Sequence, residues 1–229
     1  IFLIIVLCFS CSKKEPIVEE LATEEKSFAI YKEALDSMEA GDLFYASKKF
    51  EEAEAVLPKI EYSAKALLMS SFCLYTINFY DESLSALEKY IAKYPADKNI
   101  PYAHFLIANI YYEQILDEKK DLKPLLRTKE KINFYLKTFP NSDYALDLEF
   151  KLDLVNNQLA AKELYVAKYY ISTQKWIAAI NRLKVITKDY DQTIFVEEAL
   201  HRLVEIYYKI GLVEEAKDIA ILLVYNYNS

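Results

Sequence analysis

Apolar side chains recur along most of this chain at the three-and-four spacing of an α-helix. The clearest case follows Pro140. Leu148, Leu152, Val155, Leu159, Ala160, Leu164 and Ala167 line one side of a stretch without proline or glycine, which predicts a single long helix over about 142–172. Upstream, proline punctuates the pattern at Pro58, Pro95 and Pro140, with intervals of 37 and 45 residues. Between these marks lie pairs of amphipathic runs, such as the helix predicted from Pro101 to Tyr112. Two segments break the periodicity. Residues 1–10, IFLIIVLCFS, are wholly apolar except for Ser10 and too short to span a bilayer as a helix. They have the character of the apolar region of a secretory signal. Residues 11–26 are polar and charged and contain Pro16, which predicts a tether ahead of the folded part.

Small residues fall at fixed places within the paired runs. Ala34 lies on the first helix of the first unit, and Ala46, Phe50, Ala53 and Pro58 follow on the second. Ser71 and Ser83 take the small sites of the next unit, and Ala108 with Tyr111 opens the third. Ala167, Tyr170, Ala179 and Leu183 mark a fourth, and Leu203, Tyr207, Gly211, Ala216 and Ala220 a fifth. A helix crossing with small residues needs close backbone approach, so larger side chains there would force the helices apart. This spacing resembles the tetratricopeptide repeat of roughly 34 residues. The 8 extra residues of the third unit fall in the polar stretch EQILDEKKDLK, which reads as a loop insertion rather than a broken repeat. The predicted fold is all-α, a right-handed superhelical solenoid of about five tetratricopeptide repeats. Residues 27–140 would hold repeats 1–3, and residues 141–229 the long helix with repeats 4–5.

Composition narrows the chemistry. Two glycines in 229 residues leave little for strand turns or nucleotide-binding loops. A net charge of −7 offers no basic stripe for nucleic acid. His104 and His201 stand far apart with no metal-ligand spacing, and neither a nucleophile elbow nor a phosphate-binding loop occurs. Acidic runs such as EEAEA read as solvated helix faces. No enzyme and no cofactor is expected. Cys73 reads as a small buried hydrophobe. The twenty tyrosines exceed what a core easily satisfies, since each hydroxyl wants a partner, so some should line a half-wet surface.

Ser10-Cys11-Ser12, directly after the apolar run, resembles a bacterial lipobox with Cys11 as the lipidated residue. Cys8 stands where leucine is usual. The segments TFPNSDYALD, LAAKELYVAKYY, WIAAINRLKVITKDY and EEALHRLVEIYYKIGLVEEAK, in that order, resemble the BamD (YfiO) family. The resemblance covers residues 11–229 and is strongest from Thr138 onward, with Asp191 and Tyr227 standing where the family carries proline. It implies a non-catalytic lipoprotein on the periplasmic face of the outer membrane, acting in β-barrel assembly. The implied partners are a periplasmic POTRA domain of BamA, the C-terminal segments of unfolded outer-membrane proteins, and other Bam lipoproteins. A different periplasmic tetratricopeptide lipoprotein, one coordinating envelope constriction or peptidoglycan synthesis, is the alternative.

In tetratricopeptide folds the first helix of each pair faces ligand. Counting from the small sites places Phe28, Tyr31, Leu35 and Met38, then Lys65, Leu68, Phe72 and Tyr75, then Tyr102, Phe105, Asn109 and Tyr112 on that side. Such a trough would suit an extended peptide, with Lys65 meeting a carboxylate and Asn109 holding backbone amides. The same aromatics equally fit packing between helices. Asn181-Arg182 belongs to the family signature and places a polar pair in an otherwise apolar helix. Arg182 is expected either to meet an acidic group on BamA or to brace Glu163 or Glu205 internally.

Overall fold

A computed structural model describes residues 17–115 and 122–227. Cys11 and the rest of residues 1–16, with residues 116–121 inside the expected insertion, lie outside the described part. The described residues form ten helices and no strand: α1 (Ile17–Glu39), α2 (Leu43–Val56), α3 (Ile60–Thr76), α4 (Tyr80–Lys93), α5 (Ile100–Glu113), α6 (Lys123–Thr138), α7 (Ala145–Ser172), α8 (Trp176–Asp189), α9 (Val196–Lys209) and α10 (Val213–Asn226). Contacts divide the chain into two compact units, residues 1–97 and 98–229. Within each, consecutive helices pack on one another, giving the five helix pairs that the repeats predict.

The small sites explain the pairing. Ala34, Ala46, Phe50 and Ala53 are fully buried where α1, α2 and α3 meet. Ala167 and Ala179 do the same for α7 and α8. Where the small residue is polar, it bonds across the crossing. The Ser83 hydroxyl donates to the Ser71 carbonyl at 2.8 Å, and the Thr128 hydroxyl to the Tyr111 carbonyl at 2.9 Å. Ala220 is only half-buried, because among the described residues no further helix follows α10.

Four intra-repeat turns share one geometry. In the turn after α7, the Lys175 amide donates to the Tyr170 carbonyl and the Gln174 amide to the Ile171 carbonyl, a Schellman closure. The residue two places past the helix end takes positive φ each time: Gly41 (86°), Asn78 (63°), Gln174 (56°) and Gly211 (84°). The two glycines of the chain therefore sit where an L side chain is strained.

Two boundaries differ from expectation. α7 begins at Ala145 rather than 142, because Ser142 organises a turn, its Oγ accepting from the Tyr144 amide at 3.3 Å. α1 begins at Ile17, inside the stretch expected as tether; no proline or glycine follows Pro16 until Gly41. α7 joins three core clusters in its unit, the middle one formed by Val155 and Leu159 with Leu125. Leu148 packs with Ala108, Ile132 and Tyr135, while Ala160, Leu164 and Ala167 pack with α8 and α9.

Candidate functional site

In residues 1–97, the expected groove positions separate by burial. Tyr31 is buried and meets Phe50 edge-on at 5.6 Å, so it packs between α1 and α2 rather than forming an open wall. A first-helix aromatic is drawn into the crossing wherever its partner helix offers a large apolar face. Its hydroxyl finds no hydrogen-bond partner, and burial raises its pKa above the ordinary tyrosine value. Leu68 is likewise buried. Lys65 is exposed, Phe72 and Tyr75 are half-buried, and the Tyr75 ring leans on Tyr80 at 6.3 Å. The α2–α4 side is charged instead, with Lys48, Glu51, Asp81, Glu82 and Lys89 on an open recess of about 430 Å³.

Glu54 corrects the reading of EEAEA as a solvated face. Its side chain is 3% exposed. Lys89 donates to Oε2 at 2.9 Å, Tyr94 donates to Oε1 at 2.8 Å, and Lys93 also bonds Oε1. Burial alone would raise its pKa; the donors from Lys93, Lys89 and Tyr94 outweigh it and bring the carboxyl down to about 2.

In residues 98–229, the α5 positions gather with α7. Tyr102, Phe105 and Tyr112 are half-buried. Phe105 stacks on Tyr144 at 4.6 Å, and Tyr102 lies 5.4 Å from the same ring. Asn109 is 4% exposed. Its Oδ1 accepts from Lys151 Nζ at 2.6 Å, so the amide has an internal partner on α7. A buried amide requires such a partner. Lys151 also donates to Asp147 at 2.8 Å and lies 5.7 and 5.5 Å from the Phe105 and Tyr112 ring centres. Neither Lys151 nor Tyr144 is legible from repeat spacing, because Lys151 meets Asn109 across 42 residues.

His104 is half-buried against Phe134 and Phe139, at 5.2 and 5.5 Å. Burial and the nearby Lys131 charge lower its pKa. Among the described residues, no three His, Cys, Asp or Glu side chains group to hold a metal ion, and no helix is long and apolar enough to cross a membrane. Cys73 is buried and free, and burial raises its thiol pKa to about 11.

Arg182 takes the internal partner. One Nη donates to both Glu163 oxygens, at 3.1 and 3.3 Å, while Glu205 pairs with Arg202. The Arg182 side chain remains 45% exposed, and Asn181 beside it is exposed.

The sequence has relatives among known proteins. Residues 23–222 match the family YfiO, described as outer membrane lipoprotein. The outer membrane protein assembly factor BamD of Caulobacter vibrioides is 34% identical over 220 residues, 96% of this chain and 71% of the relative. The protein of the same name from Rickettsia prowazekii is 33% identical over 220 residues, covering 96% of this chain and 85% of its own length. That from Vibrio cholerae is 24% identical over 218 residues, 91% of this chain and 89% of the relative. The chain belongs to the YfiO family, to which these BamD proteins are its relatives.

Proposed function

We propose that this chain is a non-catalytic component of the outer-membrane β-barrel assembly machinery. It is anchored to the periplasmic face of the outer membrane through lipidated Cys11, helps recognise precursor outer-membrane proteins, and couples to a POTRA domain of BamA. The assembly role rests on the relatives named assembly factor BamD, aligned along nearly the whole chain. The observation that carries recognition is the half-buried aromatic set on α5, Tyr102, Phe105 and Tyr112, which keeps ring surface open beside α7. Ring faces of this kind take the alternate side chains of an extended segment. Coupling is assigned to Asn181 and Arg182. Glu163 engages only one Nη of the guanidinium, which orients the remaining donors outward for a second acidic group.

Photo-crosslinkers at Tyr75, Tyr102 and Tyr112 in living cells test recognition. Capture of C-terminal segments of β-barrel precursors supports it; equal capture from Glu51, on the charged recess, overturns it. Cys11→Ala is expected to release the chain to the soluble periplasmic fraction, and retention in the membrane would refute the lipid anchor.

A further inference from the structure

Lys65 and Lys151 differ in how they are held. Lys65 is exposed on a flexible stem, so any pairing with a ligand must first order that stem. Lys151 is already ordered. Its side chain is 19% exposed, and its ammonium is fixed by Asn109, which is itself buried. The Phe105 and Tyr112 rings flank it at 5.7 and 5.5 Å. An ammonium has three N–H donors. Asn109 and Asp147 take two, leaving the third for an incoming acceptor. Asp147 is the weak member of the set. It is 48% exposed and lies one turn away on the same helix, and such pairs contribute little against solvent. A carboxylate arriving over the rings can therefore take the third donor and outcompete Asp147 for the charge without disturbing Asn109.

We infer that Lys151 is the residue that reads the free C-terminal carboxylate of an extended, aromatic-rich peptide on the α5–α7 face. This rests on the peptide-binding reading of that face. The rings supply contact for side chains, and they shield the cation from water, so a carboxylate pairs with it more strongly than with the solvated Lys65. Asp147 acts as an internal competitor. It neutralises Lys151 while the face is empty and sets a threshold that only a carboxylate also held by ring contacts exceeds.

The test uses the purified full chain and a fluorescein-labelled peptide of alternating Tyr and Thr ending in Phe, as free acid and as amide. The native chain is expected to bind the acid about tenfold tighter than the amide, the value of one charge-assisted pair. Lys151→Gln should abolish that preference, so that acid and amide bind alike, and Lys151→Arg should restore part of it. Asp147→Asn should tighten acid binding severalfold and leave the amide unmoved, an outcome that a purely structural Lys151 would not give. Lys65→Gln should keep the preference. Circular dichroism on each variant confirms the helices. A preference that survives in folded Lys151→Gln, or vanishes in Lys65→Gln, overturns the assignment while the peptide face stands. If neither peptide binds the native chain, the peptide-binding reading fails, and the assignment fails with it.

Discussion

Replacing Glu54 by glutamine should separate the charge of a buried carboxylate from its shape. The side chain is 3% exposed and accepts from Lys89, Lys93 and Tyr94. Glutamine keeps the volume but surrenders the charge and one acceptor. In the folded chain the carboxyl titrates near 2, against the ordinary value of 4.5. A depressed pKa means that folding favours the ionised form. The associated stability is complete above pH 4.5 and is lost as pH falls from there towards 2. At about 1.4 kcal/mol per pKa unit, the shift corresponds to about 3 kcal/mol. Lys89 and Lys93 are half-exposed, and solvent screening of their charges brings the expectation to about 2 kcal/mol.

Amide hydrogen exchange in α2 and α4 across a urea series reads the stability of this part of the chain. At pH 7, Glu54→Gln should exchange faster, by an amount equivalent to about 2 kcal/mol. As pH falls below 4.5 the native chain should lose stability and approach the variant, while the variant shows a flatter profile. A gap that stays constant with pH would show that volume or hydrogen-bond geometry matters and charge does not. A variant more stable than the native chain at pH 7 would show that desolvation outweighs the attraction, the known hazard of buried ion pairs.

The turns give a test of opposite sign. Gln174 holds a positive φ that its side chain disfavours, so Gln174→Gly should stabilise by about 0.5–1 kcal/mol, the relief of strain less the added freedom of the unfolded chain. Gly211→Ala should destabilise by about 1 kcal/mol although a Cβ there would meet nothing within 4 Å; thermal melts that move the other way at either position would refute the turn argument. Ala46→Leu and Ala179→Leu should each cost about 1–3 kcal/mol through overpacking of fully buried crossings, and unchanged melting temperatures for both would refute the repeat register. Arg182→Glu should abolish capture of the BamA periplasmic domain, a loss of about 2–5 kcal/mol; because it also sets a second carboxylate against Glu163, whose side chain is 13% exposed, Arg182→Gln is measured beside it and should likewise lose capture while staying folded. Capture that persists in a folded variant, or is lost only in step with unfolding, removes the docking role.

The repeat architecture was legible because it depends on local features. Small residues at Ala34, Ala46, Ala167 and Ala179 must meet something close, and the apolar stripe from Leu148 to Ala167 admits only a helix. α7 starts later than the periodicity predicts, because the Ser142 turn, with its bond from the Tyr144 amide, leaves no trace in the hydrophobic pattern. Glu54 is hidden from the sequence pattern for a related reason. Between Ala53 and Ala55 it looks solvated, and only the arrival of Lys89, Lys93 and Tyr94 from α4 makes burial tolerable. Arg182 posed two alternatives that sequence left open, and the bond to Glu163 across 19 residues shows its internal partner.

The candidate site shows why a repeat motif predicts a scaffold more readily than a ligand. Tyr31 and Tyr102 were placed by the same counting rule, on the first helices of the first and third pairs. One is sealed against Phe50, while the other is only partly buried and leans on Tyr144. The rule assigns a direction along one helix; the neighbouring helix decides whether that direction ends in core or in open surface. Asn109 makes the point in its sharpest form. Counting puts it on the ligand side, and the structure does keep it among the aromatic rings. Yet Lys151 on the next first helix donates to its oxygen, so the amide positions a cation. Chemistry on such a face belongs to the junction between successive pairs, here α5 and α7.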